Sequence, residues 1–194
     1  MNAIKVNRMN LKIMTSALLL AGMAAPSAFA STGEIQFTGS ISNVTCSVSG
    51  GTPGTDDPNF TVDIGPVSAK DLDNVGDVAG VIGFRIYIGK TGEAACANGT
   101  KVWATFENGS TVDPATGALV VTPGAGSATG VQIRLFDKLN APIDILGNSQ
   151  NDGVKETVAD NQAILVYAAG YEAVGAVAAG AANSSVIYTV RYES

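Results

Sequence analysis

The chain has 194 residues, with 11 basic and 17 acidic side chains, two cysteines and no histidine. Its net charge of −6 argues against nucleic acid and anionic membrane surfaces as partners. Histidine is the usual general base and the commonest metal ligand, so its absence argues against Ser-His or Cys-His catalysis and against most metal sites.

The first 30 residues have the pattern of a secretory signal peptide. Lys5, Arg8 and Lys12 give a basic start, an apolar run over 13–23 follows, and Ala28-Phe29-Ala30 supplies a small-x-small cleavage site. The apolar run is too short to span a bilayer, so no stable membrane insertion is expected. Removal of this leader leaves eight basic and 17 acidic residues, a net charge of −9, in an exported chain of one domain.

The segment that follows the leader alternates strictly between apolar and polar residues. Ile35, Phe37, Gly39 and Ile41 share one face of a predicted strand. Two interpretations are open at this point: a first edge strand of a β-domain, or a strand that fills a groove in a different subunit. We therefore divide the chain into a signal peptide (1–30), an N-terminal extension (31–42) and a domain (43–194).

The domain is predicted to consist of short strands separated by turns. A Gly/Pro/Asp-rich loop over 50–58 comes first, and 67–80 is a solvated loop whose aspartates lack EF-hand spacing. The predicted strands are 60–65, 83–88, 101–106, 118–122, 131–136, 162–171 and 185–192, with a small-residue connection over 173–182. Because no segment has sustained helical periodicity, the pattern indicates an all-β antiparallel sandwich of immunoglobulin type.

The two cysteines of an exported chain are most simply one disulfide, Cys46–Cys96. Closing a loop of this length stabilises a fold by about 4 kcal/mol in the chain-entropy model.

The last predicted strand has an apolar face made by Val186, Tyr188, Val190 and Tyr192. We expect no residues after it to cover its outer edge, and exposed apolar edges invite pairing with another chain. Together with the spare alternating strand at residues 35–41, this favours a strand that is donated to a neighbouring molecule.

Several short motifs follow one another in a fixed order along the chain. They are Gly39-Ser40-Ile41 before Cys46, Phe60-Thr61-Val62-Asp63-Ile64-Gly65, Gly83-Phe84-Arg85-Ile86 before Cys96, Gly130-Val131-Gln132-Ile133 before Asp137, and Gly180-Ala181-Ala182-Asn183 before Tyr188-Thr189-Val190-Arg191-Tyr192. With this ordered set, the mature sequence resembles the major pilins of chaperone–usher (type 1-like) fimbriae of Gram-negative bacteria.

The resemblance implies an incomplete immunoglobulin-like sandwich that lacks its final strand. A periplasmic chaperone would fill the groove first, and the extension of the next identical or homologous subunit would replace it at the outer-membrane usher. Ile35, Phe37, Gly39 and Ile41 would then be the inserted residues, and Val186, Tyr188, Val190 and Tyr192 would form the strand beside the groove. The product would be an extracellular fimbria used in adhesion.

This sequence departs from the family pattern in two places. Glu193 and Ser194 follow the terminal tyrosine, which bears on how a chaperone would hold the C-terminal carboxylate. The cysteines are also further apart than in the family, because of the loop over 50–58.

Two other functions are compatible with an exported β-domain: a minor or adaptor pilin, and a self-contained, lectin-like binding module. An enzyme is not expected, since Asp63, Glu107, Asp137 and Asp144 show no pairing typical of a glycosidase and no G-x-S-x-G elbow occurs. No cofactor and no metal site is expected.

Overall fold

The computed structural model describes Gln36 and residues 44–193 of the chain, and this part is almost entirely β-structure. Its strands are β1 (Val48–Gly50), β2 (Val78–Gly89), β3 (Lys101–Phe106), β4 (Leu119–Val120), β5 (Thr129–Phe136), β6 (Glu156–Thr157), β7 (Gln162–Ala178) and β8 (Tyr188–Glu193). A 3-10 turn (Ala69–Leu72) and a one-turn helix, α1 (Ser149–Asp152), complete the described elements. Within these residues no helix has the length and apolar character needed to cross a membrane.

The strands form two packed sheets in which every pair of strands is antiparallel. The larger sheet has the order β1-β2-β7-β5-β4, and the smaller sheet has the order β6-β3-β8. Between them lies a core to which alternate residues of each sheet contribute, such as Ile86 and Leu165 from the larger sheet and Val102 from the smaller. This confirms the predicted all-β antiparallel sandwich.

A disulfide joins Cys46 to Cys96 inside this core, with the two Cα atoms 4.6 Å apart. The chain on both sides of it is tied down by further bonds. Thr45 donates its backbone N–H to Ala95, and both the backbone N–H and the hydroxyl of Ser47 donate to the Glu93 carboxylate at 2.8 Å. The first described residues of the domain are therefore firmly attached to it.

The longest strand, β7, runs beyond its predicted end. The small-residue segment that we expected to be a connection continues the ladder, because Ala173 and Ala178 pair with Val131 and Thr129 of β5. The two backbones approach closely here: a Cβ atom on Gly130 would lie 2.2 Å from the Ala176 carbonyl oxygen. Small residues permit that approach, so tertiary pairing outweighs the low strand propensity of alanine.

Other predicted boundaries also differ from the structure; β8, for example, begins at Tyr188 and not at residue 185. The segment predicted as a loop over 67–80 contains the 3-10 turn, whose Leu72 is buried, and the beginning of β2. Residues 60–65 were expected to form a strand, but no strand of the described chain pairs with them. Their position beside an open groove explains this difference.

The two edges of the smaller sheet differ in what lies next to them. On one side of β3, β6 pairs with Val102, and beyond the end of β6 side chains hydrogen-bond to the backbone of β3 in its place. Ala104 donates its N–H to the Tyr167 hydroxyl (3.0 Å), and the Gln150 side-chain amide exchanges two hydrogen bonds with the Phe106 backbone (2.7 and 3.1 Å). This edge is thus closed by side chains, whereas the opposite edge of the sheet, formed by β8, borders a groove.

Candidate functional site

The candidate site is the edge of β8 that has no partner strand among the residues that the structure describes. Glu107 donates its backbone N–H to the carbonyl of Ile187 at 2.8 Å, which fixes the alternation of bonded and non-bonded pairs along β3 and β8. In an antiparallel ladder the non-bonded residues turn their N–H and C=O groups away from the partner strand. Tyr188, Val190 and Tyr192 are those residues, so their backbone groups point outward along the open edge.

An apolar groove of about 720 Å³ lies next to this edge. One wall is formed by residues 184–192, the other by residues 58–64, and the floor is the core itself. The floor residues are Phe84, Ile86, Phe106, Leu119, Ile133, Leu135 and Ala169. The groove therefore has the character of a sandwich interior from which one strand is missing.

The opposite wall is extended and half-buried. Phe60, Val62 and Ile64 face the core, whereas Thr61 and Asp63 are exposed, as in a strand with one dry face. Within the described part of the chain, the backbone groups of residues 60–64 make no hydrogen bond. Two extended segments with unpaired backbone groups thus flank one apolar groove, and an added strand between them would satisfy both.

Side chains of the two walls contact each other at Tyr188. Tyr188 donates its hydroxyl to the carbonyl oxygen of Pro58 at 2.7 Å, and its ring meets Phe60 edge-on with the centroids 6.2 Å apart. Phe60 also contacts Phe84 on the floor (5.8 Å). Burial and the nearby Asp57 carboxylate raise the pKa of Tyr188 above its ordinary value. We call this contact between Pro58, Phe60 and Tyr188 the constriction.

At the far end of the groove, β8 reaches the disulfide. The Tyr192 side chain lies beside the backbone of Cys46, and burial is the main cause that raises the pKa of Tyr192. The next residue, Glu193, pairs with Lys155 and, at 3.7 Å, with Lys101, and the Lys155 hydrogen bond lowers the pKa of the Glu193 carboxyl. These contacts place the start of the described domain, near residue 44, at the Tyr192 end of the groove.

The structure brings together only one of the two predicted sets of site residues. Val186, Tyr188, Val190 and Tyr192 all line the groove. The predicted inserted residues, Ile35, Phe37, Gly39 and Ile41, lie outside the described part of the chain.

The wall made by residues 60–64 was missed as a site by sequence reasoning. Its alternation of apolar and polar residues predicted a strand, but it did not indicate that the strand would have no partner. Of the carboxylates considered for catalysis, Asp137 and Asp144 each accept backbone N–H groups from the turn that follows them.

The described domain is thus an immunoglobulin-like β-sandwich with one unfilled strand position. A sequence profile of the family "Fimbrial protein" matches residues 35–193. The chain therefore belongs to the fimbrial protein family.

Individual relatives agree with this assignment. The chain is 34% identical over 177 residues to the F17 fimbrial protein of Escherichia coli, covering 90% of this chain and 95% of that protein. It is 39% identical over 175 residues to the major fimbrial subunit SMF-1 of Stenotrophomonas maltophilia (strain K279a), covering 87% and 98%.

Solved structures show the same fold. The P pilus rod subunit PapA superposes with a TM-score of 0.53 at 22% identity, over 76% of this chain and 99% of that one. A subunit of a chaperone–usher pilus, studied for the basis of rod uncoiling, gives 0.51 at 23% identity, over 87% and 100%.

Proposed function

We propose that the groove accepts one extended strand from a neighbouring subunit, and that the chain polymerises in this way into an extracellular fimbria used in adhesion. The observation that carries this proposal is the pair of unpaired extended walls, β8 and residues 60–64, on either side of an apolar groove. The role is structural, and no catalytic residue is assigned.

The donor in this proposal is the N-terminal extension (31–42), with Ile35, Phe37, Gly39 and Ile41 facing the groove. Each ladder hydrogen bond with the two walls contributes about 0.5–1.5 kcal/mol net. Burial of each large apolar side chain adds about 1.5–3 kcal/mol. The complex would be kinetically stable as well, because dissociation exposes the acceptor's core.

The constriction suggests a register for the donor. Gly39 is the one position on the apolar face of the extension without a side chain, and it fits where Phe60 and Tyr188 narrow the groove. In an antiparallel arrangement, Ile41 then lies beside Val186 and Phe37 beside Val190. Ile35 follows beside Tyr192, so four donor positions match four positions on β8.

The start of the domain favours a donor from another molecule. The chain enters the described domain at the Tyr192 end of the groove. An extension that folded back into its own groove would therefore run parallel to β8, whereas every strand pair of the described domain is antiparallel. An extension from a neighbour can enter in the antiparallel direction.

The same exposed edge requires protection before assembly. An unfilled apolar groove with a free strand edge is prone to aggregation. We propose that a periplasmic chaperone covers β8 and the groove after the signal peptide (1–30) has directed export. The outer-membrane usher would be the place where the extension of the next subunit replaces the chaperone.

A disulfide cross-link tests both partner and register. With Phe37→Cys and Val190→Cys in one chain, the proposal expects a ladder of covalent multimers on a non-reducing gel. Arg191 is on the opposite face of β8, so Phe37→Cys with Arg191→Cys is the matched control and should give no ladder. A fast-migrating, internally cross-linked monomer, or no cross-link at all, would contradict the proposal.

A further inference from the structure

The described domain contains two exposed Asn-Gly pairs. Asn98-Gly99 is in a turn and Asn108-Gly109 is in the loop that follows β3, and all four residues are exposed. In such a pair the backbone nitrogen of glycine can attack the side-chain amide carbon of asparagine, because glycine has no side chain to obstruct the approach. The two pairs therefore have the same intrinsic chemistry, and the fold decides which of them can react.

In Asn98-Gly99, hydrogen bonds hold both of the groups that would react. Gly99 donates its N–H to the Val158 carbonyl at 2.9 Å, and the Asn98 side-chain oxygen accepts the backbone N–H of Asn161 at 2.8 Å. Asn161 is itself anchored, since its side chain donates to the carbonyl of Cys96 (2.9 Å) next to the disulfide. The attack would require both bonds to break.

The second pair has no such restraint. Among the described residues, neither the N–H of Gly109 nor the side chain of Asn108 makes a hydrogen bond, and Gly109 is held only through its carbonyl, which accepts the N–H of Val112 (3.0 Å). A Cβ atom on Gly109 would meet no other atom within 4 Å. The loop therefore has both the free nucleophile and the space for a ring to close.

We propose that Asn108 is a site of spontaneous deamidation and that the fold protects Asn98. The Gly109 nitrogen gives up its proton to a base in the solvent and forms a bond to Cγ of Asn108. The bond from Cγ to the side-chain nitrogen then breaks, this nitrogen takes up a proton from the solvent, and ammonia leaves. Water opens the resulting succinimide ring at either carbonyl, giving aspartate or isoaspartate. One water is consumed and one ammonia is released, with no change of oxidation state.

The modified residue lies close to the end of the groove. Glu107, its neighbour, donates its N–H to Ile187, and Thr111 donates its hydroxyl to the carbonyl of Ser185 at 2.7 Å. Both acceptors belong to the wall formed by residues 184–192. Deamidation adds a negative charge next to Glu107, which pairs with Arg191 at 3.5 Å, and isoaspartate also lengthens the backbone. Ageing would thus alter the chain beside the Val186 end of the groove.

The test is a time course on the full protein as isolated from cells, incubated at mildly alkaline pH and analysed by peptide mass spectrometry with isoaspartate detection. We expect Asn108 to convert at least about tenfold faster than Asn98, from the cost of breaking the bonds at Gly99. In denatured protein the two rates should become similar. Equal rates in the folded protein, or the same large difference after denaturation, would overturn the proposal.

Gly109→Ala provides a matched variant. Its φ is not in the left-handed region and its Cβ position is open, so the variant should fold normally. The added methyl group obstructs the attack, and conversion of Asn108 should slow by about tenfold while that of Asn98 stays the same. An unchanged rate at Asn108 would refute the mechanism.

Discussion

Replacement of Val190 by proline tests whether the free edge of β8 binds the donor. The N–H of Val190 points away from β3, so proline at this position leaves the β3–β8 ladder intact. It removes one hydrogen bond to the donor and leaves the donor's acceptor unpaired, at a cost of about 1–3 kcal/mol. This corresponds to an affinity for a donor peptide that is about 5- to 150-fold weaker.

Thr189→Pro is the matched control, because the N–H of Thr189 faces Thr105 of β3. We expect it to lower the stability of the domain itself, whereas Val190→Pro should change the empty domain little. Val190→Ala separates the loss of the side chain from the loss of the hydrogen bond. The assay is peptide affinity by fluorescence anisotropy, with denaturant unfolding of each empty domain. Unchanged affinity in Val190→Pro, or a greater loss of domain stability in Val190→Pro than in Thr189→Pro, would refute the assignment of the edge.

Three further predictions concern the domain. Removal of the disulfide in Cys46→Ala/Cys96→Ala should lower the free energy of unfolding by about 4 kcal/mol, measured by urea denaturation; a loss below about 1 kcal/mol would contradict the entropic account. Tyr167→Phe leaves the N–H of Ala104 buried and unpaired, and should cost about 1–3 kcal/mol in the same assay, so a neutral result would contradict it. Burial raises the pKa of Tyr167 and Tyr192 above 10.0, so their contribution to stability is complete below that pH and is lost as the pH rises through the folded-state pKa values. Tyr192→Phe should therefore reduce the loss of stability at alkaline pH, measured by thermal melts at different pH values. An unchanged pH profile would show that Tyr192 does not contribute to this loss.

The strand pattern was largely predictable because each strand has one dry and one wet face. Lys101–Phe106 has the predicted bounds, and the strand predicted over 131–136 begins only two residues earlier in the structure. The end of β7 was not predictable, since its alanine-rich sequence has no strand signature and is ordered by its pairing with β5. The local alternation of apolar and polar residues predicts which face of a strand is buried, but pairing with a neighbouring strand decides how far the strand continues.

The two edges of the smaller sheet could not be distinguished from the sequence. Gln150 is on a short helix and Tyr167 is on the other sheet, yet the side chains of both accept backbone N–H groups from the edge of β3. Such long-range side-chain contacts leave no local signal. The apolar face of Val186, Tyr188, Val190 and Tyr192 was visible in the sequence, but the second wall at residues 60–64 required the structure.

We propose that the domain is incomplete and that the extension of a neighbouring molecule completes it. The most direct measurement is a thermal melt of the domain from Ser42 onward, with and without a peptide of residues 33–42. We predict a low melting temperature that the peptide raises by tens of degrees, and a Phe37→Asp peptide that has no effect, because a charge would be buried in the groove. A domain that is already stable and ignores the peptide would contradict the account.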